Sequence, residues 1–125
     1  MDENAICTAV LDAAFKIHRE LGPGLLESVY EAVLAHELSK QGVAVVRQQG
    51  ISIRYEDMVL EEGFRADLVV NGRVIVEIKS VESLHPVHGK QLLTYLRLMG
   101  LKLGVLINFN EAMLKDGIKR VANGL

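Results

Sequence analysis

Between Phe64 and Lys79 two stretches of alternating character meet at Asn71-Gly72, and this segment limits the fold more than any other part of the chain. Such alternation marks strands whose two faces differ. On the first stretch Phe64, Ala66, Leu68 and Val70 share one side, and Arg65, Asp67 and Val69 the other. On the second, Val74, Val76 and Ile78 oppose Arg73, Ile75, Glu77 and Lys79. The two purely apolar sets should meet on one face against helices. A slip of one residue would move every side chain to the other face, so this requirement sets the parity of the register. A loop of Asn71-Gly72 alone would pair Val70 with Arg73 and mix the faces. A loop of Val70-Asn71-Gly72, with Gly72 left-handed in a bulge, pairs Val69 with Arg73 and Leu68 with Val74. Asp67 then lies opposite Ile75, on the same face as Glu77 and Lys79.

The rest of the chain predicts what covers these strands. Ile6, Val10, Ala13, Ile17 and Leu21 recur at helical steps over residues 5 to 21, until Gly22-Pro23-Gly24 breaks the pattern. A second helix is expected over 25 to 40, with Leu26, Val29, Val33, Leu34 and Leu38 on adjoining stripes and Gly42 closing it. Short strand-like runs follow at 43–46, 51–55, 58–60, 64–70 and 73–79, with Glu56-Asp57 as a further hairpin turn. Residues 87 to 99 read as a helix, 103 to 109 as a strand and 111 to 121 as a short last helix. The order predicts a mixed α/β fold, built as one domain around a central sheet flanked by helices.

Asp67, Glu77 and Lys79 converge on one surface in this scheme. Two carboxylates suit a hard divalent cation such as Mg²⁺ or Mn²⁺, and the Ile78 backbone carbonyl between them could be a further oxygen ligand. The lysine can orient an attacking water or stabilise charge developing on a phosphate. A plain cross-strand ion pair is the competing explanation of the same residues. Two features weigh against it: the charges sit in an otherwise apolar strand, and Gln91, Thr94 and Tyr95 follow at helical spacing on the next helix.

Composition removes several classes. With 14 Lys and Arg against 16 Asp and Glu, the formal charge is −2, which excludes a strongly basic nucleic-acid coat. A local surplus remains in Lys90, Arg97, Lys102, Lys115, Lys119 and Arg120. One cysteine, Cys7, excludes an internal disulfide framework and a cysteine-rich zinc site. No run approaches the roughly 20 apolar residues of a membrane helix. The acidic start and free thiol lead to an expectation of cytoplasmic residence and no membrane partner. His18 could approach the same cleft from its helix, although a lone helical histidine more often has a structural role. Tyr30 could position substrate or be a core residue with a bonded hydroxyl. His85 and His88 flank Pro86; their spacing suggests transition-metal binding without an evident third ligand, or a place near substrate phosphate, and a solvated loop is the plainer expectation.

Asp67 followed ten residues later by Glu77-Ile78-Lys79 matches the signature of the PD-(D/E)XK nuclease superfamily. Gly24-Leu25-Leu26-Glu27-Ser28-Val29-Tyr30 reads G-x-x-E-x-x-Y, and the whole chain resembles the small GxxExxY family placed within that superfamily. Ile17-His18, Leu21-Gly22-Pro23-Gly24, the run from Gly104 to Asn110 and the run from Lys115 to Arg120 extend the resemblance over nearly all of the sequence. Ala66 departs from the Pro of the superfamily name. The resemblance implies a restriction-endonuclease-like core. It implies metal carboxylates at Asp67 and Glu77, a catalytic lysine at Lys79 and an additional acid at Glu27. Gln91 and Tyr95 resemble a Q-x-x-x-Y helix that positions the site and the nucleic acid. The implied activity is metal-dependent hydrolysis of nucleic-acid phosphodiester bonds, DNA before RNA. The alternative is a catalytically silent nuclease-fold module for nucleic-acid binding or complex assembly. The small core independently suggests a homodimer or a larger complex.

Overall fold

The computed structural model describes all 125 residues. Helix α1 (Glu3–Leu21) begins where Asp2 Oδ1 accepts the Ala5 N–H at 2.8 Å, an N-cap that satisfies one of the free amides of the first turn. It buries Ile6, Val10, Ala13 and Ile17, as its spacing predicts, and adds Cys7 and Ala14. Helix α2 (Glu27–Lys40) starts two residues later than expected and turns a different stripe inward. Tyr30, Leu34 and Leu38 are buried at steps of four, while Leu26 and Val29 are exposed. No helix is long and apolar enough to cross a membrane.

Five strands form one mixed sheet in the order β1-β2-β3-β4-β5. They are β1 (Val45–Tyr55), β2 (Met58–Val70), β3 (Val74–Lys79), β4 (Leu103–Asn108) and β5 (Ile118–Ala122). Neighbours are antiparallel except β3 and β4, which run parallel and are joined by α3 (Pro86–Met99). Helices α1 and α2 cover one face and α3 the other. This is the expected α/β architecture, a mixed sheet with helices on both sides.

Three expectations need correction. The first four strand-like runs are two long strands, because Gly50 pairs with Arg65 inside the ladder and Gly63 falls at a register shift, between Ile51 and Ile53, that bends the pairing without ending it. A Cβ at Gly63 would stand 2.2 Å from Ile53 Cδ1 on the facing strand, so any larger residue would displace the Ile53 side chain. The last helix is absent. Residues Leu114–Gly117 make one 3-10 turn, and the chain then pairs along the open edge of β4, with Ile118 opposite Ile107 and Lys119 opposite Leu106. Pairing with β4 satisfies backbone groups that a local helix would have left unmatched on that strand. The β2–β3 turn is also displaced. Asn71 (φ +51) and Gly72 (φ +66) form a turn closed by Arg73 N–H to Val70 O at 3.0 Å. Val70 pairs with Val74, Val69 with Ile75 and Leu68 with Val76. The expected parity holds and the register moves by two residues, which brings Asp67 into line with Glu77 instead of Ile75.

Two cores result. The larger joins Leu68, Val70, Val74, Val76 and Ile78 to α1, α2 and β4, and contains 21 buried residues against 7 in the core under α3. Ala66 and Phe64 pack into the smaller core, although alternation places them with Leu68. The face pattern of β2 therefore breaks at Asp67.

Candidate active site

Strands β2 and β3 part at Asp67. The ladder ends at the Leu68–Val76 pair, and beyond it side chains replace backbone partners. Asp67 Oδ2 accepts the Ile78 N–H at 2.8 Å, and Glu77 Oε2 accepts the Asp67 N–H at 3.4 Å. Each carboxylate thus occupies the other strand's missing ladder position. In a strand the N–H and C=O of one residue point to the same edge. The Ile78 carbonyl is therefore directed, like its N–H, towards Asp67.

The fork opens into a cavity of about 130 Å³ lined by Arg65, Asp67, Glu77, Lys79, His88, Gln91, Leu92, Tyr95 and Leu106. Five expected residues, Asp67, Glu77, Lys79, Gln91 and Tyr95, come together in it. Tyr95 is held by stacking on Phe64, with ring centroids 3.7 Å apart. Burial raises its hydroxyl pKa, and the Glu77 and Asp67 charges raise it further.

Glu77 is the unusual group. Its side chain is only 6% exposed, and burial, reinforced by the neighbouring Asp67 carboxylate, pushes its pKa up to about 9 against the opposing pull of Lys79. Its Oε1 is buried without a hydrogen-bond partner. An orphaned buried carboxylate oxygen costs free energy unless a proton or a cation satisfies it. Asp67, Glu77 and the Ile78 carbonyl therefore fit a hard divalent ion. No cluster of three or more His, Cys, Asp or Glu side chains is assembled. The donor set is that of a Mg²⁺-type site, which uses one or two carboxylates and completes its shell with water or phosphate oxygens.

The other expected residues lie apart from the cavity. Glu27, at the start of α2, is exposed, and its Oε2 accepts the Ser80 N–H at 3.2 Å just beyond Lys79. It lines a separate depression with Ser80 and Asn110, close enough for its charge to act on His88. Tyr30 is fully buried, its ring stacked on Phe109 at 4.4 Å. Its hydroxyl donates to Gly22 O at 2.6 Å and accepts from Leu25 N–H at 3.2 Å, so it orders the loop leading to Glu27 and meets no open cleft. His18 Nε2 lies 2.8 Å from Glu111 O and lines a separate groove with Phe15, Pro23 and Met113. Neither Tyr30 nor His18 reaches the carboxylates, because α1 and the buried stripe of α2 pack on the opposite sheet face.

Two further polar residues line the cavity, Arg65, which the sequence did not single out for the site, and His88, for which a place near phosphate was the lesser expectation. Alternation groups Arg65 with Asp67 in the sequence, and both line the cavity although Phe64 and Ala66 also turn to that side of the sheet. His88 is not in a solvated loop but in the first turn of α3, where its Nδ1 accepts the His85 N–H at 3.1 Å. Burial lowers its pKa, and the positive charges of Lys79 and His85 lower it further. The neutral ring so bonded carries its proton on Nε2. His88 precedes Gln91 by three residues and Tyr95 by seven, the helical spacing that could have placed all three on one face.

A family model described as the PD-(D/E)XK nuclease superfamily matches residues 4–121. No curated protein and no solved structure matches the chain.

Proposed function

This chain belongs to the PD-(D/E)XK nuclease superfamily, and from that premise we propose that it is a divalent-metal-dependent nuclease hydrolysing nucleic-acid phosphodiester bonds. The observation that carries the reading is the fork at Asp67 and Glu77, with a buried carboxylate oxygen left unsatisfied beside a lysine. Asp67, Glu77 and the Ile78 carbonyl would hold Mg²⁺ or Mn²⁺. The ion would supply positive charge that lowers the pKa of water and offsets charge on the phosphate. Lys79 orients the attacking water and stabilises the extra negative charge on the phosphorus oxygens. Gln91 and the Tyr95 hydroxyl fix the phosphate from α3, and Arg65 and His88 supply further donors at the mouth. Glu27 acts from outside the cavity through Ser80, which follows Lys79. In the reaction water adds across one P–O bond, and the departing oxygen takes up a proton.

Several finer assignments support one another. The Gly24 to Tyr30 run supports placement in the GxxExxY family. The five ion pairs all engage cations between Lys16 and Arg73. Lys79, Lys90 and Lys119 are thereby left for a phosphate backbone, which supports a nucleic-acid partner, taken here as DNA. We read the chain as one domain, cytoplasmic, working as a homodimer or in a larger complex.

The test compares wild type with Lys79→Ala on single-stranded, duplex and branched DNA and on RNA, with Mn²⁺ or Mg²⁺ present. Metal-dependent cleavage by wild type alone is expected. Equal cleavage in both would indicate a contaminant, and no cleavage of any substrate would favour the silent nuclease-fold module.

A further inference from the structure

Across β1 from Asp67 stands Gln48, between the Arg47–Leu68 and Gln49–Ala66 pairs. Its backbone is left-handed, with φ +51, inside a strand. A residue with a Cβ rarely adopts that conformation, and where it persists the surroundings over-determine it. What the conformation achieves is visible in the side chain. Gln48 Nε2 donates to Glu31 Oε1 at 2.5 Å and to Asp67 Oδ1 at 3.3 Å. Both acceptors are carboxylates, so the NH₂ end of the amide must face them. Glu31 is itself a fixed anchor. It is 5% exposed on α2, and its other oxygen accepts from Arg47 Nε at 3.1 Å.

Asp67 is thereby gripped from both sides: Oδ2 by the Ile78 N–H from β3, and Oδ1 by the Gln48 amide from β1. Each oxygen keeps a further lone pair for the cleft. We propose that Gln48, braced by Glu31, is a positioning residue that fixes the Asp67 carboxylate for cation binding. The proposal rests on the metal site described above. Groups that orient metal ligands typically change affinity by about 10-fold to 100-fold when removed.

Gln48→Gly separates this role from a merely structural one, because glycine accepts a left-handed backbone and removes only the side chain. Two quantities are measured: Mn²⁺ affinity by calorimetry, and hydrogen exchange of the Ile78 amide in the metal-free protein. The expected result is binding weakened about 10-fold and faster Ile78 exchange, with circular dichroism showing the fold retained. Ile78 exchange unchanged, or Mn²⁺ affinity within about twofold of wild type, would overturn the proposal. If wild type itself takes up no Mn²⁺, the metal reading fails, while the exchange comparison still decides whether Gln48 holds Asp67.

Discussion

Strand β3 presents two faces of opposite construction. Towards α1 and α2 it offers Val74, Val76 and Ile78 to the larger core, among apolar side chains of both helices and β4. Towards α3 it offers Ile75, Glu77 and Lys79, and only Ile75 finds an apolar core. The difference shows how a small protein can shelter a carboxylate. One side of the sheet supplies most of the hydrophobic stabilisation. The other is thin enough to leave a cleft, yet closed enough to hold Glu77 nearly out of water.

The largest test of that division is functional. Lys79→Ala should lower nuclease activity by about 100-fold or more while the melting temperature scarcely moves. Leu34→Ala, in the larger core, should do the reverse. It removes a fully buried side chain and should cost about 2–5 kcal/mol, measured by urea unfolding, with activity per folded molecule unchanged. Leu96→Ala, in the smaller core, should sit between the two. Its stability loss belongs at the lower end of the same range, but activity should fall too, because α3 carries His88, Gln91 and Tyr95.

The pH response sharpens the contrast further. The native pKa of Glu77 lies near 9 against 4.5 ordinarily, so between those values the folded state holds a proton that the unfolded state has released. Stability of the metal-free protein should therefore fall as pH rises through that window. Glu77→Gln should flatten the slope and make the metal-free protein the more stable of the two at pH 8. Thermal melts across pH would show it, and an unchanged slope would mean that Glu77 is charged in the fold. The smallest effect belongs to Tyr30→Phe. Loss of its two hydroxyl hydrogen bonds should cost about 1–2 kcal/mol in urea unfolding, leaving the Phe109 stack intact.

Local periodicity carried much of this molecule. The alternation from Phe64 to Lys79 predicted which side chains of β3 share a face, and with them the meeting of Asp67, Glu77 and Lys79. What it missed depended on partners distant in sequence or on turn chemistry. The register moved by two because Asn71 and Gly72 both adopt left-handed backbone and Arg73 becomes the extra residue. Ile118 to Val121 reads as helix until the open edge of β4 is available to pair with it. Glu31 and Gln48 have no local signature, since their meaning arises only where α2 and β1 approach Asp67. Tyr30 falls within the motif that suggested a site, yet its ring belongs to the core and its hydroxyl to a loop.

The most direct measurement is the anomalous scattering of Mn²⁺ in crystals of the wild-type protein. The account predicts one strong peak at the β2–β3 fork, within coordination distance of Asp67, Glu77 and the Ile78 carbonyl. A peak on His85 and His88 instead, or Asp67 and Glu77 left without metal at saturating Mn²⁺, would contradict it.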